Sequence, residues 1–383
     1  MSRPQVAGVG AVTGYGWGFD RLAAGLRSGG SAGRQQVVDG LDVLAATVPP
    51  PPGPDDRAAT RYEQAALFAV EDALADARSR GWRPGPTVGV VFCTGIGDIR
   101  ATRDNYFRDA RPRPSMFPRM LHTSVGSMLG QVHGWTGPNL VVNAACSSGN
   151  AALEVARSWL AAGTVTDVVV AGAEFCLIAE VISGFRRLRV LLADGAPVTD
   201  CRPFQQGSRR FFLGEAAVGM VLTGNVERPR ATYLGGAGTH DAFHLVAPEP
   251  DGVQLERCHR DALAAAGVKP GDVGLVKAHG SGTPLSDSVE AAVLDRVFPP
   301  ATRVCSYKPF VGHCMAMAAL AELASLMAGY EIGSLPAHVT GDEADARLAD
   351  GGPPPPGPVL CASVGLGGAN TVAALDFHGG TPT

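Results

Sequence analysis

Residues 141–150 read Val141-Val142-Asn143-Ala144-Ala145-Cys146-Ser147-Ser148-Gly149-Asn150, an apolar strand that passes through small residues into the start of a helix. Residues 151–160 are rich in helix formers, so Cys146 is predicted to lie near a helix N-terminus. Unpaired amide donors and the helix dipole favour thiolate over thiol at such a position. A buried free cysteine taken alone is more often structural than catalytic. The small neighbours leave room for a substrate, however, and make Cys146 a candidate nucleophile.

Outward from this stretch, short apolar runs alternate with Ala/Leu-rich segments of helical character. The runs predicted as buried strands are 6–12, 88–93, 140–142, 168–171, 217–222, 274–276, 303–306 and 359–364. The predicted helices are 61–77, 151–162, 255–266, 288–297 and 316–329. This alternation predicts a layered α/β fold. No repeat is visible in the residue identities, but two halves can keep one strand and helix order after losing sequence similarity.

Composition narrows the class of protein. The chain has 383 residues, 45% of them hydrophobic and 18% charged, with a formal net charge of -4, which argues against a disordered or nucleic-acid-coating protein. Its eight cysteines are scattered without a Cys-x-x-Cys pair, so a reducing, cytoplasmic location is expected. The start lacks the form of a signal peptide, and apolar stretches such as 315–320 are far shorter than the roughly 20 residues that span a bilayer. No membrane span is expected.

Two histidines lie in glycine-rich settings in the second half of the chain. His279 follows the apolar segment 275–278 and precedes Gly-Ser-Gly-Thr, and His313 ends the segment Lys308-Pro309-Phe310-Val311-Gly312-His313. Either histidine alone is more often a hydrogen-bonded structural residue than a catalyst. Together with Cys146 and Lys308, they supply a thiol nucleophile, two neutral donors able to hold a developing oxyanion, and a fixed positive charge.

Two other uses of such residues are less well supported. A zinc site would need at least one close pair of Cys or His ligands, which the candidates lack, so no metal is expected. The fragments Gly8-x-Gly10 and Gly95-x-Gly97 do not complete a Gly-x-Gly-x-x-Gly that opens a helix. A dinucleotide cofactor is therefore not predicted.

Nearly the whole chain resembles the elongating β-ketoacyl-ACP synthases of the thiolase fold, the condensing enzymes of fatty acid and type II polyketide synthesis. The similar segments are, in chain order, 6–28, 143–149 with the nucleophile, Asp200-Cys201-Arg202-Pro203-Phe204, Leu213-Gly214-Glu215-Ala216-Ala217, 278–290 with the first histidine, 308–313 with the second, and Gly365-Leu366-Gly367-Gly368-Ala369-Asn370. Several motifs in the same order make the resemblance specific.

The resemblance implies a duplicated βαβαβαββ core in five alternating layers, α-β-α-β-α. It implies an N-terminal half, residues 1–228, that carries the nucleophile, and a C-terminal half, residues 229–383, that carries both histidines, in one compact unit. It also implies a dimer, either with a second copy or with a ketosynthase-like paralogue. Substrates would arrive on the phosphopantetheine arm of an acyl carrier protein, with no other cofactor.

Roles for individual residues follow from the same resemblance. Cys146 would accept an acyl group from a thioester, with its own amide and that of Leu366 as the oxyanion hole. His279 and His313 would hold the carbonyl oxygen of malonyl-ACP while decarboxylation builds enolate charge, and the resulting carbanion would attack the acyl group on Cys146.

Four further residues are given supporting roles. Lys308 would support the loop of His313, with Glu322 as its buried partner. Ser281 and Thr283 would offer hydroxyls to the phosphopantetheine arm.

The chain departs from the family pattern at several positions. Leu366 stands where the family has a gating phenylalanine, and Val364 stands where it has another aromatic residue. Residues 316–319 add bulk where the family has Gly-Ala-Ala-Gly, and Arg209-Arg210 replaces the usual Asp-Gly. These arginines could meet an acidic carrier protein or form an ordinary solvated surface. The departures indicate an atypical synthase of specialised metabolism.

Two alternatives remain open at the level of sequence. A chain-length-factor-like subunit would shape the product of another synthase, but such subunits normally lack the nucleophile that Cys146 provides. An acyltransferase without decarboxylation could use the same cysteine, with the histidines as oxyanion donor and base.

Overall fold

The computed structural model describes residues 3–108, 114, 117–337 and 344–378, so the extreme ends of the two predicted halves lie outside the described residues. The predicted α/β class is confirmed. The strands are β1 Gln5–Thr13, β2 Gly16–Trp17, β3 Arg34–Val38, β4 Leu41–Ala46, β5 Val88–Cys93, β6 Asn139–Val142, β7 Asp167–Glu174, β8 Leu213–Gly214, β9 Ala216–Thr223, β10 Ala231–His240, β11 Leu275–Lys277, β12 Arg303–Cys305, β13 Val359–Gly365 and β14 Ala369–Phe377. The helices are α1 Phe19–Arg27, α2 Arg61–Ser79, α3 Ile99–Thr102, α4 Phe117–Met120, α5 Ser124–His133, α6 Ser148–Ala161, α7 Ala179–Arg187, α8 Val253–Ala266, α9 Pro284–Val297, α10 Lys308–Val311 and α11 Ala318–Ile332.

The large sheet consists of two halves with the same strand order. Its order is β12-β11-β13-β14-β10-β1-β9-β7-β5-β6, with β2 beside β1. When the strands of this order are numbered along the chain within each half, β2 being left out, both halves run 3-2-4-5-1 from the outer edge to the junction. This shared order shows a duplication that is not visible in the residue identities. The halves meet where β1 pairs antiparallel with β10 at only two residue pairs. The division at residue 228 falls in the connection between β9, which ends at Thr223, and β10, which begins at Ala231. Its exact position stays a prediction.

Helices cover the strands in layers. Helix α2 packs on β1, β7 and β9, and helix α8 packs on β10 and β14, so these two form outer layers. Between them, α6 contacts strands of both halves and α11 contacts β1, β9 and β13. The two central helices lie very close together, since a Cβ on Gly149 would fall 3.0 Å from the Cβ of Ala319. Close packing of this kind keeps the start of α6, and with it Cys146, in a fixed place.

The six strands that went unpredicted are β2, β3, β4, β8, β10 and β14. β10 contains three glycines and β14 begins Ala369-Asn370-Thr371, so neither starts as an apolar, β-branched run. The small sheet β3-β4-β8 includes β3, which is largely exposed. Strand propensity in such segments is supplied by neighbouring strands rather than by their own residues.

One helical segment, Met315–Ile332, is long and apolar enough to cross a membrane by length and composition. Residues 316–329 of it are predicted as a helix, and residues 315–320 are the part that the bilayer argument above uses. In the structure 78% of the segment is buried inside the protein, and it carries the ion-paired Glu322. These features are those of a core helix.

Candidate active site

Cys146 lies in the tight connection between β6 and α6. Ala145 has φ 49°, a left-handed conformation that is uncommon outside glycine, and it turns the chain so that the next residue reaches the centre of the molecule. Ser147 Oγ lies 2.9 Å from the carbonyl oxygen of Ser363 and 2.7 Å from that of Ala369, and the single hydroxyl proton is shared between these two acceptors. Ser363 Oγ donates in turn to the carbonyl of Cys146, at 2.8 Å. Hydrogen bonds from the C-terminal half therefore hold the cysteine in position.

The charge state of Cys146 differs from the sequence expectation. Burial raises the pKa of its thiol to about 11, which outweighs the lowering by the Lys308 ammonium and by the amides of Leu366 and Cys146. The expectation that a helix N-terminus favours the thiolate at this residue is therefore wrong, because burial favours the thiol. Both amides lie against the sulfur, which is the position predicted for oxyanion donors.

His313 is held as a neutral hydrogen-bond donor. Its Nδ1 accepts the backbone N–H of Met315 at 3.0 Å, so in the neutral ring the proton sits on Nε2. Burial, with the nearby charges of Lys308 and Lys277, holds the pKa of His313 well below its usual range. The ring also packs against Phe211, with centroids 4.8 Å apart. A neutral Nε2–H is a suitable donor to a carbonyl or enolate oxygen.

His279 faces His313 across the site, with ring centroids 5.7 Å apart. Burial, the charges of Lys308 and Lys277, and the repulsion that a protonated His313 would add hold the pKa of His279 well below the usual range. Its loop is fixed from below by Glu290, whose carboxylate accepts the amides of His279 and Gly280 at 2.7 and 2.8 Å. Its Nδ1 is buried and has no hydrogen-bond partner among the described residues. Both imidazoles are therefore neutral.

A buried ion cluster lies beneath the histidines. Lys308 Nζ is 2.6 Å from Glu322 Oε1, and it also donates to the carbonyl of His279. The other oxygen of Glu322 accepts from Lys277 Nζ at 2.9 Å. The structure therefore places the predicted Lys308 and Glu322 together and adds Lys277, which sequence reasoning missed. The available signal was a lysine inside the apolar strand that ends two residues before His279.

The cavity above this cluster connects the site to the surface. It has a volume of about 230 Å³, and its lining includes Cys146, His279 and His313. The predicted arm-binding residues Ser281 and Thr283 also line it, with their hydroxyl oxygens 2.8 Å apart. At its mouth the side chain of Leu366 is 40% exposed. All eight candidate residues therefore occupy the cavity or the ion cluster beneath it, while their roles stay predictions.

The two arginines that depart from the family pattern lie close to this mouth. Arg210 has φ 106°, and its backbone N–H donates to the carbonyl of Gly282, between the two hydroxyl residues, at 2.9 Å. The Arg209 side chain is 73% exposed and 4.0 Å from Asp200. An ion pair so exposed contributes little to stability, which leaves Arg209 available to a partner.

Comparison with known proteins identifies the class. The N-terminal domain of the β-ketoacyl synthases matches residues 7–227, and their C-terminal domain matches residues 230–341. A solved structure described as the ishigamide ketosynthase/chain length factor superposes with a TM-score of 0.84 at 24% identity, covering 99% of this chain and 100% of that one. The predicted thiolase-like fold is thus confirmed. The chain belongs to the β-ketoacyl synthase family.

Curated relatives carry the corresponding names. The 3-oxoacyl-[acyl-carrier-protein] synthase 2 of Rhizobium meliloti is 29% identical over 361 residues, 84% of this chain and 85% of that protein. The chloroplastic 3-oxoacyl-[acyl-carrier-protein] synthase I of Hordeum vulgare is 30% identical over 264 residues, 63% of this chain. The latter match spans only 56% of the Hordeum protein's own length. Both names specify an acyl carrier protein, the substrate carrier that the resemblance implies.

Proposed function

We propose that the protein is a β-ketoacyl-ACP synthase that condenses an acyl group held on Cys146 with malonyl-ACP. The observation that carries this proposal is the set of donors around one sulfur. The amides of Leu366 and Cys146 reach the thiol, and two neutral imidazoles line the same cavity. Fixed donors aimed at a developing oxyanion in a dry site lower the barrier by several kcal/mol.

In the first step Cys146 takes the acyl group. Its sulfur attacks the thioester carbonyl of acyl-ACP, the carbon–sulfur bond to phosphopantetheine breaks, and the thiol proton of Cys146 ends on the departing phosphopantetheine sulfur. The negative charge on the carbonyl oxygen in the tetrahedral intermediate is held by the two amides. The raised pKa of Cys146 keeps the resting residue a thiol.

In the second step malonyl-ACP occupies the emptied cavity. Its carboxylate leaves as carbon dioxide, and the electron pair forms an enolate whose oxygen accepts hydrogen bonds from His279 and from Nε2–H of His313. The enolate carbon then attacks the acyl carbonyl, which forms the carbon–carbon bond and breaks the carbon–sulfur bond to Cys146. The sulfur leaves as a thiolate and takes a proton from solvent water, which restores the resting thiol. The Met315 amide keeps His313 in the donating tautomer throughout.

The carrier protein and a second subunit are proposed from two surfaces. Arg187 and Arg189, at the end of α7, are exposed beside the mouth residue Leu188, and Arg209 adds a further charge. A basic mouth suits an acidic carrier protein. Strand β6 is an edge strand that, among the described strands, pairs only with β5, and its Leu140 is 42% exposed. Such an edge suits strand pairing with a second ketosynthase-like subunit in a dimer.

Specialised, polyketide-type substrates are proposed because the mouth is unusual. Leu366 and Val364 replace larger aromatic residues and leave an apolar opening beside Cys146. A cytoplasmic location is proposed on the basis of the eight free cysteines.

The test separates loading from decarboxylation. Cys146→Ala should abolish acyl loading, whereas His313→Ala should load normally and release carbon dioxide from malonyl-ACP about 100-fold more slowly or worse. Carboxyl-labelled malonyl-ACP measures the release. Loading without any release by the unaltered protein would favour the non-decarboxylating acyltransferase, and no loading at all would favour the chain-length-factor-like subunit.

A further inference from the structure

Lys277 is a buried cation that the reaction steps above do not use. It is the last residue of β11, two residues before His279, and its side chain is 1% exposed. Strand β11 lies between β12 and β13, with both neighbours parallel to it. Moving an ammonium group from water into such an interior costs several kcal/mol unless the group is paired and hydrogen-bonded. Its contacts should therefore be specific.

Two oxygens receive the ammonium of Lys277. They are Glu322 Oε2 at 2.9 Å and the carbonyl of Ala362 at 2.7 Å. The other carboxylate oxygen of Glu322 is 2.6 Å from Lys308 Nζ, which also donates to the carbonyl of His279. One carboxylate thus joins the His279 loop to strand β13.

Strand β13 is the element that delivers an oxyanion donor. It contains Ala362 and then Ser363, whose hydroxyl donates to the carbonyl of Cys146, and it ends at Gly365. The next residue is Leu366, whose amide lies against the sulfur. A movement of β13 at Ala362 would therefore displace this amide and the backbone of the nucleophile together.

The charges of the cluster balance only when Lys277 is included. Two ammonium groups share Glu322, and the nearby carboxylate Glu290 accepts the amides of His279 and Gly280. Lys277 and Lys308 balance these two carboxylates, so the cluster without Lys277 would carry one net negative charge. At low effective dielectric such a negative charge would destabilise an enolate in the cavity above it.

We propose that Lys277 is a positioning residue of this site, which anchors β13 beneath the Leu366 amide and supplies the positive charge that balances the two buried carboxylates beneath the enolate. The catalytic part of the proposal rests on the proposed function, whereas the anchoring and the charge do not.

Lys277→Met is the decisive variant, because it leaves a neutral Lys308–Glu322 pair that can remain buried. Arg230→Met is its matched control: Arg230 is 8% exposed, pairs with Asp76 and Glu331, and does not line the cavity. We expect Lys277→Met to slow carbon dioxide release from malonyl-ACP about tenfold or more, and Arg230→Met to lower the melting temperature without changing that rate. Release within twofold of the unaltered protein in Lys277→Met would overturn the proposal.

Chemical rescue separates a lost charge from a damaged fold. Lys277→Ala leaves a small space lined by the Glu322 carboxylate and the Ala362 carbonyl, so 100 mM methylammonium chloride should restore release severalfold. Tetramethylammonium chloride at the same concentration is too large for the space and should not. Equal effects of the two salts would contradict the proposed role of the ammonium.

A substrate-free readout keeps this proposal distinct from the proposed function. The charge of Lys277 contributes to lowering the pKa of His279 and His313, so both imidazoles should titrate at higher pH in Lys277→Met than in the unaltered protein. The titratable groups that face Lys277 are Glu322 of α11, Glu290 of α9, Lys308 of α10, Cys361 of β13 and Cys305 of β12. NMR of labelled histidine measures the shift. Unchanged titration would refute the inference even if the synthase activity were established, and a shift would support it even if no activity were found.

Discussion

The resting charge of Cys146 can be tested by its reaction with an alkylating agent over a range of pH. Burial raises the pKa of this thiol from 9.0 to about 11. Only the thiolate reacts, so at pH 8 the reactive fraction falls from about 9% to about 0.1%, a loss of about 100-fold. The rate constant should consequently rise about tenfold for each pH unit between 7 and 10 and level off only near 11.

Iodoacetamide labelling of the native protein, followed by peptide mass mapping, measures this profile. Cys146 is the one cysteine in the described lining of the cavity, and Cys146→Ala should lose the fast-labelled site. Restricted access to the pocket would lower every rate equally and leave the midpoint unchanged, so the midpoint is the informative quantity. A plateau already reached at pH 7 to 8 would show a resting thiolate and refute the assignment of burial as the dominant effect.

Two further predictions concern stability. His259 is fully buried, and burial lowers its pKa from 6.5 to about 4. Between these two pH values the unfolded chain binds a proton at His259 and the folded protein does not. The free energy of unfolding should therefore fall by about 3 kcal/mol between pH 6.5 and 4, and denaturant titration of His259→Leu should lack that component. Glu322→Gln leaves two buried ammonium groups without the carboxylate that pairs with them. It should lower the free energy of unfolding by about 3 to 5 kcal/mol, a larger loss than that caused by Lys277→Met. Equal melting temperatures for the two variants would contradict this order.

The sequence predicted the elements whose own residues carry the signal. Strands such as β5 and β7 are runs of valine and other apolar residues, and their burial on both faces makes the pattern plain. Strand β10 escaped prediction because its glycines gain order only from pairing with β14 along its length. The duplication also escaped direct detection, because it is expressed in strand order and not in residue identity.

The site residues that lie in recognisable motifs were predicted from the sequence. The prediction of the site was incomplete for residues whose contacts depend on tertiary packing. Cys146, His279 and His313 come from separate motifs, and the structure brings them to one cavity. Lys277 was missed because a single lysine in a short apolar strand carries no sign of its partner, Glu322, which lies 45 residues later. The thiolate expectation was wrong because a helix start is visible in sequence, whereas the depth of burial of Cys146 is not.

The central claim, that Cys146 accepts an acyl group from a carrier protein, is tested most directly by intact mass spectrometry. The protein and its Cys146→Ala variant would each be incubated with a panel of acyl-ACP thioesters of increasing chain length. One acyl increment is expected on the unaltered protein and none on the variant, and the donor that acylates the largest fraction of the protein identifies the preferred chain. An increment that persists in Cys146→Ala, or none with any donor, would contradict the claim.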